Sequence, residues 1–329
     1  MNPTVEWALD ATLSLEEIPN LIPRLMTAAA GMGALHTGED GRFWEYVEPL
    51  RQFTSLRFPA PFPWERGSRM RRLFVEGASQ AFGLHKAATV WPFLTEKVAH
   101  EKVSIVLGGR ALPEDTIEGT PEDEKNRTAR DHLAEFSTAH SMKRGGFAVN
   151  MIDGREDVLA TSPGCPALVM ECKRPSRPDR LSRAVNKAFT KLKEKRDCDG
   201  HDRLGAIVIC IDRVLQDIPS VVADLPEVPS FETLAEVNPW VNSTILAHLA
   251  MLTSETEFRM CPEVPFAMVL MTVPVFARDE GMHRMIDVVG FDTGARYVSG
   301  PAARVVQRLS EGPPANPRGW QRATHIGAP

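Results

Sequence analysis

The sequence offers little from which to build a disulfide framework or a membrane span. Its 329 residues include five cysteines, an odd number, and no C-x-x-C pair occurs among them, which favours reduced thiols. The longest apolar stretch, Phe266 to Ala277, contains Pro274 and is shorter than the ~20 residues that a membrane-spanning helix needs. Met1 to Glu6 has no basic segment followed by an apolar one. We therefore expect no signal peptide and a cytoplasmic protein without membrane contact.

The chain also has no net positive charge. The chain has 38 Lys and Arg residues against 43 Asp and Glu residues, a formal net charge of −5 at pH 7. This balance argues against a protein that binds nucleic acid through its overall electrostatic field. Any contact with nucleic acid requires a local basic surface.

The length and the 43% hydrophobic content are sufficient for one elaborated domain or two domains. Up to about Gly109 the chain is predicted to be helical, with Ser14-Leu15-Glu16-Glu17 as a capping box that opens the first helix. We predict a helical N-terminal region at 1–118, an α/β core at 119–290, and a partly disordered C-terminal extension at 291–329. Three stretches of the N-terminal region have helical spacing of apolar residues: Phe43–Phe53, Ser68–Phe82 and Ala88–Leu107.

A long helix is predicted to open the core. Thr120 is its capping residue, followed by a proline and acidic residues, and the helix should run to about Arg144 and end at Gly145-Gly146. Glu135 lies one residue off the apolar packing stripe, on the flank where a core-facing helix borders a cleft.

The segment from Asp157 to Lys173 is predicted to form two strands joined by a tight turn at Ser162-Pro163-Gly164. On the second strand, Ala167 to Cys172, successive side chains point to opposite faces. One face carries Val169, Glu171 and Lys173, and the other carries Leu168, Met170 and Cys172. Both faces are apolar until the last residues, which predicts a buried strand.

A buried strand that ends in Glu171 and Lys173 places two charges where each needs a partner. Asp157 on the neighbouring strand adds a second carboxylate, and two adjacent carboxylates favour a divalent cation. We interpret this end of the sheet as a metal site with a lysine beside it. The alternative is an ordinary strand end with an exposed ion pair.

The next elements add a basic helix and a central strand. One face of the helix is apolar, and the other begins beside the predicted metal site and carries the residues that could bind phosphate. Leu204 to Ile211 is a continuous apolar run, which indicates a central parallel strand with the preceding helix as its crossover. Phe266 to Ala277 is a further strand candidate, and Arg284 to Val289 would pair with it. The basic residues of this helix face are Arg180, Arg183, Lys187 and Lys191, and Arg174 and Arg177 in the segment that leads into the helix complete the predicted nucleic-acid-binding set.

The order of helix, three strands, helix and strand resembles the core of the PD-(D/E)XK nuclease superfamily. Its resemblance covers Ala129 to Asp212, about a quarter of the chain. It is carried by A-R-D-H-L-A-E-F at Ala129–Phe136, by E-C-K-R-P at Glu171–Pro175, and by the helix Ala188–Leu192 before G-A-I-V-I; uncharacterised bacterial or phage-borne members are similar. The resemblance implies a restriction-endonuclease-like fold, in which a mixed central β-sheet is flanked by helices.

The resemblance also implies roles for individual residues. Asp157 and Glu171, with the backbone carbonyl of Cys172, would hold Mg²⁺, and Mn²⁺ could replace it. Lys173 would orient or deprotonate the attacking water and stabilise charge at the phosphate. Glu135 matches a helix carboxylate that many members add to the metal site, where it could recruit a second ion.

Three positions depart from the family pattern. Glu156 stands where the motif has proline, and Lys191 stands where many relatives carry glutamine. Asp153 is a rival of Asp157 for the role of metal ligand. Asp157 is preferred because it starts a strand, whereas Asp153 lies in a turn, where aspartate is common for local reasons.

These observations lead us to expect a metal-dependent endonuclease that hydrolyses phosphodiester bonds in DNA. One alternative is a non-catalytic nucleic-acid-binding or regulatory protein with the same fold, and another is a nuclease for RNA or branched DNA. The terminal regions would supply recognition, regulation or the contacts of a homodimer.

Overall fold

The computed structural model describes residues 5–56, 63–65, 67–151, 157–175, 178–199, 203–211, 230–240, 261, 263–293 and 300–311. The helices are α1 Ile18–Gly31, α2 Val47–Thr54, α3 Arg69–Val90, α4 Glu96–Leu107, α5 Pro121–Arg144, α6 Leu181–Asp199, α7 Val237–Trp240 and α8 Pro301–Glu311. The strands are β1 Val5–Ser14, β2 Ala148–Asn150, β3 Val158–Thr161, β4 Ala167–Lys173, β5 Arg203–Cys210, β6 Ser230–Phe231, β7 Phe266–Ala277 and β8 Met282–Thr293.

One mixed sheet joins all of these strands. Its order is β1-β8-β7-β5-β4-β3-β2, with β6 paired to β7 off this path. The neighbours β4, β5 and β7 are parallel, while β3 is antiparallel to β4 and β8 is antiparallel to β7. Helix α6 is the crossover between β4 and β5, as predicted.

The predicted order of elements in the core is confirmed. Helix α5 is followed by β2, β3, β4, α6 and β5, and the chain is an α/β protein with a mixed sheet and a helical N-terminal region. Thr120 caps α5 by accepting a hydrogen bond from the N–H of Asp123 at 3.2 Å. The turn between β3 and β4 is closed by a hydrogen bond from the N–H of Cys165 to the carbonyl of Ser162 at 3.1 Å.

The helical prediction is wrong for the first described residues, Val5–Ser14. They form β1, which pairs antiparallel with β8. The apolar residues Val5, Trp7 and Leu9 alternate with the residues between them, and this two-residue period is typical of a β-strand. Ser14 ends the strand and is not a capping residue, because α1 begins at Ile18 with Glu17 in the N-cap position.

Two hydrophobic cores lie on opposite faces of the sheet. The larger core contains residues of α1 to α5 together with Leu168, Met170 and Cys172 of β4. The smaller core contains Val169 and the apolar residues of α6. The predicted alternation of faces along β4 is therefore confirmed, and the larger core runs continuously across the predicted boundary at residue 118.

Helix α8 lies within the predicted C-terminal extension, and its Val305 is buried in the larger core. The predicted helix Asn242–Leu252, the turn at Asp153 and the tail from Gly312 fall outside the described residues. Among the helices that the structure describes, none combines the length and hydropathy required to cross a membrane.

Candidate active site

The candidate site lies where β4 ends. Glu171 and Lys173 point to the same face of this strand, toward α6. Glu171 is fully buried, with 0% of its surface exposed, and Lys173 is partly exposed. The buried strand therefore ends in a carboxylate that has no access to water, as the sequence predicts, and the partners of that carboxylate determine whether it can stay ionised.

Asp157 lies beside Glu171, just before β3 begins. Val158 of β3 pairs with Met170 of β4, and this register places Asp157 next to Glu171 at the end of the ladder. The Oδ2 of Asp157 accepts a hydrogen bond from the backbone N–H of Cys172 at 2.7 Å. The main chain of β4 thus holds this carboxylate in place, and the two predicted acidic ligands are brought together.

Two lysines neutralise the pair of carboxylates. Lys173 Nζ donates to Glu171 Oε1 at 2.6 Å and to the carbonyl of Cys172 at 2.9 Å. Lys191 Nζ on α6 donates to the same Glu171 Oε1 and lies 3.5 Å from Asp157 Oδ1. Two ammonium groups therefore balance two carboxylates, which offsets the cost of burying Glu171.

The bridging position of Lys191 is reflected in its pKa. Desolvation by burial lowers it, but the hydrogen bond to Glu171 and the charge of Asp157 outweigh that effect, so the pKa of Lys191 is raised. The ammonium therefore stays charged at neutral pH. The two carboxylates therefore share this ammonium group as a common cationic partner.

Glu135 is held by a different set of groups. Its Oε2 accepts a hydrogen bond from Lys102 Nζ of α4 at 2.9 Å and lies 2.8 Å from Nδ1 of His132, one turn earlier on α5. Both Glu135 and Lys102 are buried. The predicted third carboxylate is thus paired with Lys102 and contacts His132 in the helical layer.

In the part of the chain that the structure describes, no three His, Cys, Asp or Glu side chains come close enough together to hold a metal ion. Within the cluster at the end of β4, the oxygen groups that could bind a cation are the carboxylates of Asp157 and Glu171 and the carbonyl of Cys172. Mg²⁺ is commonly bound through one or two carboxylates and completes its shell with water and substrate phosphate. The donor set fits that pattern, because its two carboxylates already pair with the cationic groups of Lys173 and Lys191.

Asp131 is a member of this region that the sequence analysis missed. Desolvation by the surrounding protein raises the pKa of its carboxyl to about 6; the charge of Glu135 adds to the rise, and Arg174 and Lys173 oppose it. Asp131 is nevertheless exposed to solvent on α5. Asp131 and Glu135 are four residues apart on α5, and this spacing on one helix face was the available signal.

The predicted basic residues are divided between several environments. Arg183 and Lys187 are exposed on α6, whereas Lys191 belongs to the carboxylate cluster. Arg180 pairs with Glu118 at 3.1 Å, and Arg174 lines a small, partly open cavity. Arg177, like the rival ligand Asp153, lies outside the described residues.

Comparison of the chain with protein-family models, with curated proteins and with solved structures finds no match. The geometry of the site is therefore the basis for assigning a function.

Proposed function

We propose that this protein is a metal-dependent nuclease that hydrolyses phosphodiester bonds in DNA. One observation carries the proposal: the carboxylates of Asp157 and Glu171 lie together at the end of a buried strand and share the ammonium groups of Lys173 and Lys191. Two fixed carboxylates and an adjacent lysine are suited to bind a divalent cation and to handle a phosphate and an attacking water.

Asp157, Glu171 and the carbonyl of Cys172 would hold the metal ion. When bound, Mg²⁺ or Mn²⁺ lowers the pKa of a coordinated water and offsets negative charge that develops at the phosphate. The protein prepares this site in two ways. The N–H of Cys172 fixes Asp157 by a hydrogen bond at 2.7 Å, and burial removes water from around Glu171.

The two lysines then have distinct tasks. Lys173 Nζ is held by Glu171 and by the carbonyl of Cys172, so it is placed to orient the attacking water and to contact a phosphate oxygen. Lys191 neutralises the carboxylates in the absence of metal. With a divalent cation bound by these carboxylates, the ammonium of Lys191 would be available to contact a substrate phosphate.

Asp131 supplies a group that can exchange a proton near neutral pH, because its pKa is about 6. It lies within electrostatic range of Lys173. We assign the exposed basic face of α6, with Arg183 and Lys187, to the sugar–phosphate backbone of the nucleic acid.

A cleavage assay tests the proposal. Purified protein is incubated with plasmid, single-stranded DNA or RNA in the presence of Mg²⁺, Mn²⁺ or EDTA. We expect metal-dependent cleavage of DNA that is lost in Glu171→Ala and in Lys173→Ala, whereas Lys193→Ala, which removes an exposed lysine of α6, retains it. Preferential cleavage of RNA would show that RNA, and not DNA, is the substrate. Cleavage that persists in EDTA would refute the metal dependence.

One observation favours a second candidate, a nucleic-acid-binding protein without turnover. Glu171 already has two ammonium partners, so the folded protein does not need a metal to stabilise this carboxylate. Binding of DNA without cleavage under every metal condition would support this candidate over the nuclease.

A further inference from the structure

Lys102 and Glu135 form a buried ion pair beside the candidate active site, and the proposed hydrolysis does not use it. Lys102 Nζ of α4 donates a hydrogen bond to Glu135 Oε2 of α5 at 2.9 Å, and the two residues are 5% and 7% exposed. Thr138, one turn after Glu135, contacts the thiol of Cys172 at 3.3 Å. Helix α5 therefore crosses β4 at the end that carries the candidate site, and it brings Glu135 to that end.

Glu135 also acts on the electrostatics of this end of the sheet. Burial raises the pKa of the Cys172 thiol, and the charges of Asp157 and Glu135 add to the rise. The carboxylate that the family resemblance assigns to a second ion is thus near the predicted metal ligands. Among the residues that the structure describes, however, it does not join Asp157 and Glu171 in a group that could hold a metal ion.

The contacts of Glu135 explain why it stays apart. Its Oε2 accepts from the ammonium of Lys102 and lies 2.8 Å from Nδ1 of His132. An ionised carboxylate only accepts hydrogen bonds, so we assign the proton of the second contact to Nδ1. Two donors therefore already occupy this oxygen. A cation on the other oxygen of the same carboxylate would lie close to the Lys102 ammonium and be repelled by it.

Burial distinguishes Lys102 from Lys191. The side chain of Lys191 is 40% exposed, so its ammonium can move into solvent when a metal ion takes its ligands. The side chain of Lys102 is only 6% exposed. Its ammonium cannot leave Glu135 without becoming a buried charge that no carboxylate balances. Lys191 can therefore yield to a metal ion, whereas Lys102 cannot.

We propose that the ammonium of Lys102 takes the place of a metal ion at Glu135 and thereby limits the candidate site to one divalent cation. That cation is the one held by Asp157 and Glu171, so the inference rests on the proposed function for this ligand pair. Glu135 neutralises Lys102 and is not a metal ligand. An uncharged side chain at position 102 would open Glu135 to a further ion.

Counting bound Mn²⁺ ions tests the proposal without a cleavage reaction. The full chain and its variants are titrated calorimetrically with Mn²⁺ in the absence of nucleic acid, which gives the number of ions per chain. We expect one ion for the wild type and two for Lys102→Met, because this variant removes the buried charge that repels an ion from Glu135. The additional ion should be lost again when Glu135→Gln is combined with Lys102→Met.

The double variant also measures whether Glu135 is a ligand in the wild type. It replaces a buried ion pair by uncharged side chains, a change that folded proteins commonly tolerate. The net charge stays that of the wild type, so we expect one ion with an affinity within about twofold of the wild-type value.

Lys97→Met is the matched control for Lys102→Met. Lys97 lies on the same helix, and 83% of its side chain is exposed, so this variant removes the same charge from the surface of α4. It should still bind one ion per chain. Thermal unfolding verifies that each variant is folded.

Two results overturn the proposal. One is a folded Lys102→Met that binds no more Mn²⁺ than the wild type. The other is the loss of an ion, or of about tenfold or more in affinity, in the double variant, which shows that Glu135 is a ligand. The second result decides the question even if Lys102→Met alone fails to fold.

The proposed function is judged separately, by the ion at Asp157 and Glu171. A wild type that binds no Mn²⁺, beside a Lys102→Met variant that binds one ion, refutes the metal-dependent nuclease and leaves the role of Lys102 standing. One ion in the wild type that Glu171→Gln abolishes, together with an unchanged count in Lys102→Met, does the reverse.

Discussion

Lys191 of α6 donates a hydrogen bond to Oε1 of Glu171 on β4. The same ammonium lies 3.5 Å from Asp157, so it occupies the place between the carboxylates that a divalent cation would need. Under the proposed function, Lys191 would compete with the metal ion for these two carboxylates.

We predict that Lys191→Met binds Mn²⁺ more tightly than the wild type, by about tenfold, because the variant removes a positive charge beside the metal ligands. Direct titration with Mn²⁺ in the absence of nucleic acid measures this affinity. If nuclease activity is present, it should fall at the same time, because the lysine is no longer available to the substrate.

Lys193→Met is the control for this comparison. Lys193 is exposed on the same helix, and its removal should leave the Mn²⁺ affinity unchanged. An equal or lower affinity of Lys191→Met would show that the lysine does not occupy the metal position.

The raised pKa of Asp131 predicts that removing its charge stabilises the fold, and that the size of this gain depends on pH. The carboxyl titrates at about 6 in the folded protein instead of 3.8, so the folded state binds its proton more tightly than the unfolded state does. The ionised group consequently destabilises the fold above about pH 6, and this cost is absent below about pH 4. Asp131→Asn should therefore be more stable than the wild type at pH 8.

The expected gain is at most about 1 kcal/mol, because the side chain is exposed and screened by solvent. Urea denaturation of both proteins at pH 8 and at pH 4 measures the difference. A gain of equal size at both pH values would assign the effect to the amide itself and not to the loss of a charge.

The sequence alone was sufficient to locate most of this site, because its signals are local. The alternation of residues along β4 predicts that Glu171 and Lys173 share a face, and Thr120 and Gly145 mark the two ends of α5. Asp157 comes next to Glu171 because a short turn determines the register of β3 and β4.

The rest of the site depends on contacts that are distant in sequence. The spacing of α4 does not reveal that Lys102 meets Glu135 at 2.9 Å, 33 residues further along the chain. Strand β1 was missed although its residues alternate, because its partner β8 lies at the other end of the chain. The cavity beside Arg174 arises from the packing of α3 on the sheet, which no local pattern encodes.

The pair of Glu16 and His283 predicts a contribution to stability that acid removes. Burial of Glu16 opposes its ionisation, but hydrogen bonds from the side chain and the N–H of His283 outweigh this effect and lower the pKa of Glu16 to about 2. A depressed carboxyl pKa stabilises the fold above the unfolded value of 4.5. That contribution is lost as the pH falls toward 2.

Glu16→Gln should therefore lower the free energy of unfolding at pH 7 by about 1 to 2 kcal/mol, after allowance for solvent screening. The difference between variant and wild type should shrink between pH 4.5 and pH 2. Chemical denaturation across this range provides the measurement, and a constant difference would contradict the assigned role of the Glu16 charge.

The buried pair of Arg130 and Glu76 is predicted to hold α5 against α3. Arg130 Nε donates to Glu76 Oε1 at 2.7 Å, and both side chains are buried. Removing one partner leaves the other charge in a dry environment, so Arg130→Met should cost about 3 to 5 kcal/mol of stability. Replacing both, in Glu76→Gln with Arg130→Met, should cost less than the sum of the single changes, because the stranded carboxylate is then absent.

A double-mutant cycle gives the coupling energy between the two residues, which we expect to be about 1 to 3 kcal/mol. The exposed pair Arg72 and Glu114, 3.1 Å apart, serves as the reference and should show less than about 1 kcal/mol. Since Arg130 directly precedes Asp131 on α5, the single variant should also displace Asp131 relative to Lys173. If the two cycles give equal coupling, the buried pair does not position this helix.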